Sequence, residues 1–304
     1  MRITREELRV AISEPKKIMV YSFGCWPTAS FGADYLGLLA RLMACLRLGI
    51  GFRLCKIRSP QGFVIKNGWT DYFQPFCEVA TGPMLDRINR HNFPFQQRFP
   101  VVKPLARLWL KCATRPRADY FQFDDLKTEP LGPPIFEPNE NYLSACRDLV
   151  RLLWTYNAAT ASEVERIKDE IVAPKNYLGI CIRRGDKIAE NSYVDIDRYV
   201  DSISTLASDT RIIFVATDDV RTISEISSKM PHYVFISLTE NDARGYIHSE
   251  FKSLPREERR RRTLRFFAQL ELLRDASLFI GTRTTNVSWM VNAHRGGNGV
   301  IWVD

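Results

Sequence analysis

From residue 177 to residue 303 short apolar, β-branched runs alternate with stretches of helical periodicity, and few folds accept that alternation. The runs are Tyr177–Ile182, Arg211–Ala216, Tyr233–Ser237, Leu278–Gly281 and Val300–Val303. Helical patterns fall between them at about 195–207, 219–229, 257–276 and 286–294. Each run has strand length, and strand–helix–strand units close as parallel pairs with right-handed crossovers. A doubly wound α/β domain follows.

A second unit of the same kind precedes it. Lys17–Ser22 reads as a strand, 23–32 as a glycine-containing loop, Ala33–Leu48 as a helix stopped by Gly49, and Ile50–Ile57 as a strand. Leu36, Leu39, Met43 and Leu46 recur at helical spacing, which turns that helix onto a sheet. The loop carrying Gly24 would then lie at a helix N-terminus, where an anion is favoured; a purely structural turn is the equal alternative. Prolines at 94, 100, 104, 116, 130, 133 and 134 imply irregular connections. A helical stretch over about 141–170, broken near Tyr156, is stopped by Pro174. The boundary is expected there, giving an N-terminal α/β domain over 1–173 and a nucleotide-binding domain over 174–304.

The C-terminal domain's first run ends in Arg183, Arg184, Gly185, Asp186 and Lys187. In an open parallel sheet the ligand crevice lies outside the carboxyl ends of the strands. Two guanidinium forks delivered there suit an anion, and Asp186 is near enough to orient one of them. The alternative is a surface turn with an internal Arg–Asp pair. Neither the dinucleotide glycine fingerprint nor the P-loop pattern occurs anywhere.

The charge of +8, from 43 basic and 35 acidic residues, favours a phosphate-bearing partner without choosing among nucleotide, nucleic acid and anionic membrane. Seven cysteines, without a CxxC pair, indicate neither a zinc site nor a disulfide framework. With no secretory apolar core near residue 1 and no run of 18 apolar residues, a soluble cytoplasmic protein is expected.

Three motifs then stand in order: Ile182–Lys187 (IRRGDK), Val215–Asp219 (VATDD) and Phe279–Asn286 (FIGTRTTN). Together they resemble the motifs of the α1,6-fucosyltransferase superfamily, of the N-glycan core and rhizobial Nod-factor type. Asn67–Phe76 (NGWTDYFQPF) resembles a further segment of that family. The resemblance implies a GT-B-like pair of Rossmann-like domains with the donor site in the cleft. It implies inverting, metal-independent transfer of L-fucose from GDP-fucose to a glycan or glycolipid acceptor. It makes Arg183 the grip on the donor β-phosphate, with Arg184 and Asp186 in support. Glu190 is the implied base, one residue nearer the arginines than the family's glutamate, and Lys187 its helper. A solvated loop carboxylate is the alternative for Glu190. Asp218 and Asp219 would hold the nucleotide-side loops, though Asp219 is better suited to capping the next helix. Thr282, Thr284 and Thr285 would bind phosphate or cap the last helix. The family's histidine two residues before the first arginine is Cys181 here. Its guanine-reading aspartate falls at Gln269, with Glu271 the nearest carboxylate. The same fold and chemistry with another nucleotide sugar is the alternative, as is a non-catalytic nucleotide- or nucleic-acid-binding protein.

Weaker signals are read against function. Asp195 and Asp197 have a metal-binding spacing but open a helix pattern, so Asp195 reads as an N-cap. The basic run Arg256–Thr263 reads as a solvated helix face, with a peripheral anionic-membrane contact as the alternative. Trp69, Tyr72 and Phe73 read as core before sugar platform. No metal and no nucleic acid is expected.

Overall fold

The computed structural model describes residues 4–14, 18–21, 23–24, 30–55, 62–80, 142–172, 174–186, 193–206 and 210–304. Lys187, Glu190 and the prolines from 94 to 134 lie outside the described residues. The chain divides into two compact units, Met1–Asn157 and Ala158–Asp304.

In the first unit α1 (Arg5–Ser13) precedes β1 (Ile18–Tyr21), α2 (Phe31–Leu48), β2 (Gly51–Cys55), β3 (Val79–Ala80) and α3 (Tyr142–Leu153). The strands form a parallel sheet in the order β1-β2-β3. Gly49, in the left-handed region, ends α2 as the sequence indicated. Rings fill the core. Trp69 lies 4.4 Å from Phe73 and 6.4 Å from Tyr35, while Trp154 stands 5.2 Å from Tyr35. Trp69, Tyr72 and Phe73 are all buried, so they build the core. The turn that carries them is tied by Asp71, whose carboxylate accepts from the backbone N–H groups of Ile65, Lys66, Asn67 and Gly68.

The helical stretch over 141–170 is interrupted where Tyr156 bridges to Phe73, leaving α3 and then α4 (Ala158–Lys168) in the second unit. There follow β4 (Leu178–Ile182), α5 (Ile196–Ser204), β5 (Ile212–Thr217), α6 (Arg221–Lys229), β6 (Val234–Ile236), α7 (His248–Ser253), α8 (Arg256–Asp275), β7 (Leu278–Gly281), α9 (Asn286–Arg295) and β8 (Val300–Trp302). The parallel sheet runs β6-β5-β4-β7-β8. The chain moves outward from β4 to β6 and then returns to the other side of β4. The topological switch point is therefore between β4 and β7.

Alternation along β4 separates two faces. Leu178, Ile180 and Ile182 pack with Ile196, Tyr199, Ile203 and Ile226 of α5 and α6. On the other face Gly179 brings α8 close: a Cβ there would stand 2.9 Å from Ala276 Cβ and 3.3 Å from Leu273. The C-terminal half of α8 is buried, and its basic N-terminal turns lie at the surface, where Arg261 and Arg262 pair with Glu258. No described helix is long and apolar enough to cross a membrane.

Candidate functional site

At the carboxyl end of β4 the alternation continues into the two arginines, which diverge. Arg183 follows the α8 face. Its Nη1 lies 3.2 Å from Asp218 Oδ2, its Nη2 3.6 Å from Asp186 Oδ1, and its guanidinium stacks over the Tyr246 ring at 5.2 Å. Arg184 follows the α5–α6 face, donating to the Val194 carbonyl at 3.2 Å and lying over the Tyr193 ring at 4.9 Å.

Asp218, just beyond β5, ties this loop together. It accepts from the Arg184 backbone N–H at 2.7 Å and the Tyr246 N–H at 2.9 Å, while its carbonyl accepts from Gly245 N–H at 2.7 Å. Asp186 completes the lock: its N–H donates to the Tyr246 carbonyl and its carboxylate accepts from His248 N–H at 3.1 Å. Gly185 is required here. It has φ +50°, and a Cβ would stand 2.3 Å from the Tyr246 carbonyl oxygen and 2.5 Å from Tyr246 N. Arg183 is thus held by two carboxylates, a ring and a glycine turn before any ligand arrives.

Asp219 is spent locally. It accepts from Arg221 N–H at 3.0 Å at the start of α6 and pairs with the Arg221 guanidinium, Nε at 2.9 Å. That hydrogen bond holds its carboxyl below the usual carboxylate range. Thr285 caps α9, accepting from Ser288 N–H at 3.3 Å. Thr282 is buried, with its N–H on Ser288 Oγ. The N–H groups of Arg283 and Thr284 donate to the Asp304 carboxylate at 2.8 and 3.3 Å. An anion arriving at this loop would compete with that side chain.

The remaining candidates have surroundings of their own. Gln269 is half-buried on α8, and Glu271 is buried in an ion pair, 3.2 Å from Lys168 Nζ and 3.8 Å from Arg274 Nη1. Gly24 belongs to the first unit, where its N–H donates to the buried Asp34 carboxylate. Asp34 also accepts from the Tyr21 hydroxyl, and burial raises its carboxyl to about 6. Cys181 is fully enclosed; burial pushes its thiol up to about 12, so it stays neutral beside Arg183. Asp195 caps α5 by accepting from Asp197 N–H. Among the described residues no group of acidic, histidine and cysteine side chains could hold a metal ion.

Residues 141–253 match the model of the alpha-(1,6)-fucosyltransferase N- and catalytic domains. Over those residues the chain is similar to the alpha-1,6-fucosyltransferases. Its fold agrees with this over nearly its full length. Fucosyltransferase NodZ from Bradyrhizobium matches with a TM-score of 0.51 at 14% identity, covering 95% of this chain and 96% of that one. A complex of POFUT1 with GDP-fucose matches with a TM-score of 0.51 at 10% identity, covering 95% and 99%. NodZ alpha-1,6-fucosyltransferase soaked with GDP-fucose gives a TM-score of 0.50 at 14% identity, covering 92% of each chain. The fucosyltransferase-like fold is accordingly GT-B-like α/β. No curated protein sequence matches the chain.

Sequence reasoning missed the loop that supplies Tyr246, Gly245 and His248. A signal was present: Asn241, Asp242 and Gly245 mark turns between β6 and α8, and such turns close over the carboxyl ends of strands. It also missed Tyr193, which packs on Arg184.

Proposed function

We propose that the chain transfers L-fucose from GDP-fucose to a glycan or glycolipid acceptor, with inversion and without a metal ion. The observation that carries this reading is the clamp on Arg183 at the carboxyl end of β4. In the transfer, the bond between the sugar C1 and the β-phosphate oxygen breaks, and negative charge grows on the departing diphosphate. A guanidinium fixed beforehand stabilises that charge more as it develops and needs no reorganisation at the moment of reaction. Arg183 has five N–H donors, more than its two carboxylate partners engage. The acceptor oxygen attacks C1 from the opposite side, and Glu190 takes its proton while Lys187 helps to position it.

Residues 174–304 are proposed as the donor side, with Arg184, Asp186 and Asp218 fixing the Arg183 loop. Thr282, Thr284 and Thr285 are proposed on the phosphates, and residues 1–173 as the acceptor side. A reducing cytoplasm is proposed as its setting. The basic N-terminal turns of α8 offer a peripheral contact with an anionic membrane. One observation favours a second donor: Glu271, the carboxylate nearest the guanine-reading position, is engaged by Lys168. Another nucleotide sugar is then the alternative.

Calorimetric titration with GDP, UDP and GDP-fucose tests the reading. The expected result is GDP and GDP-fucose binding at least tenfold tighter than UDP. Loss of a charged hydrogen bond in Arg183→Ala should weaken GDP about 10- to 100-fold. Tighter UDP binding would move the donor, and a folded protein that binds no nucleotide overturns the assignment.

A further inference from the structure

The divergence of the two arginines leaves a second concavity that the donor reading does not use. On the α5–α6 side of β4 a cavity of about 580 Å³ opens at the carboxyl ends of β4 and β5, within the size range of small-molecule sites. Its walls come from the end of β4, the entry to α5, the first turn of α6 and the 244–247 loop. Arg183, on the other face with Asp218, Asp186 and Tyr246, is not part of its lining.

The lining has a particular chemistry. Among the described lining residues Arg184, Arg221 and Arg244 are balanced by Asp195, Asp219 and Glu225, three cations against three carboxylates. A phosphate or sulfate site needs a surplus of positive charge, and the described lining residues have none. Fixed donors and acceptors with no net charge instead suit a neutral ligand dense in hydroxyl groups. Tyr193 and Ile247, 39% and 41% exposed, add apolar surface among those groups. The Tyr193 ring is anchored from behind by Arg184 at 4.9 Å and through its hydroxyl on the Gly185 carbonyl at 3.1 Å. A rigid aromatic ring amid planar charged hydrogen-bonding groups is the combination that takes the C–H face and hydroxyl rim of a pyranose.

We propose that this cavity, although it lies on the donor-side residues, binds a neutral oligosaccharide and serves as a further acceptor subsite of the transferase, beyond the acceptor side assigned to residues 1–173. The acceptor role rests on the reading above; the carbohydrate binding does not. Arg183 and Arg184, adjacent in sequence, then serve separate ligands on opposite faces of one strand.

The test uses the full chain on an array of neutral, sulfated and phosphorylated oligosaccharides, followed by titration of the tightest neutral one. Tyr193→Ala and Arg244→Ala are expected to weaken it at least tenfold, and Tyr193→Phe, which keeps the ring, to stay within twofold. Absence of any neutral hit, exclusive binding of charged glycans, or unchanged affinity in both alanine variants overturns the proposal. So does a Tyr193→Phe variant as weak as Tyr193→Ala. GDP titration of the same samples reads the donor reading separately. Its failure alongside retained glycan binding overturns the transferase and leaves the pocket.

Discussion

Among single residues Gly185 has the least freedom, because two demands meet at its α-carbon. Its φ of +50° disfavours any side chain, and the space where a Cβ would go is filled by the Tyr246 backbone. Backbone cannot swing aside as a flexible side chain can. Gly49 provides the comparison: its φ is +60°, but nothing lies within 4 Å of an added Cβ. Ala at position 49 therefore meets the conformational cost alone, about 1 kcal/mol, whereas Ala at position 185 adds the displacement of a loop. Urea unfolding should show Gly185→Ala losing at least about 2 kcal/mol and Gly49→Ala about half of that. Equal losses would mean that the close approach at Tyr246 contributes nothing. The same displacement would loosen Arg183, so GDP affinity should fall with Gly185→Ala and hold with Gly49→Ala.

At the scale of elements, local chemistry made the scaffold legible. β4 and β7 declared themselves because buried parallel strands are continuous apolar runs, and α2 because Gly49 stops a periodic helix. The arginine loop was legible because a strand cannot bury Arg183 and Arg184 without partners. The partners were less so: Tyr246 and Asp218 reach Arg183 across 63 and 35 positions of sequence, counted from residue numbers, and no local pattern encodes that pairing. Glu271 was ambiguous for a related reason. A carboxylate on the buried side of α8 could await a ligand or serve another helix, and the sequence alone does not distinguish these. Its partner is Lys168 on α4, with Glu271 and Lys168 side chains 9% and 20% exposed. Glu271→Gln should therefore cost about 2 kcal/mol in urea unfolding, typical of a charged hydrogen bond, and leave GDP affinity within twofold. A large loss of GDP affinity at unchanged stability would instead return Glu271 to the nucleotide.

At the scale of the whole molecule, the two units carry buried titratable groups of opposite sign. Asp34 in the first unit has its carboxyl raised by burial to about 6 from 3.8, although Tyr21, Gly24 and Arg41 oppose the shift. The folded state thus holds its proton more tightly than the unfolded chain. The cost of charging it is present above pH 6 and is relieved as pH falls toward 3.8. His294, buried on α9 in the second unit, is lowered by burial, and secondarily by Arg274, to about 3 from 6.5. Its stability contribution is intact above pH 6.5 and is lost as pH falls toward 3. Between pH 7.5 and pH 5, linkage gives the first unit a gain of about 1 kcal/mol and the second a loss of about 2 kcal/mol. Hydrogen exchange corrected for intrinsic rates should show β1 and β2 better protected, relative to β4 and β5, at pH 5 than at pH 7.5. Asp34→Asn should remove the gain in the first unit and His294→Gln the loss in the second, each without altering the other. Parallel pH responses of the two sheets in the parent protein, unchanged in both variants, would show that neither burial controls the balance. If the opposed responses appear, acid selectively loosens the unit that carries Arg183, and nucleotide binding should weaken with falling pH while the first unit remains folded.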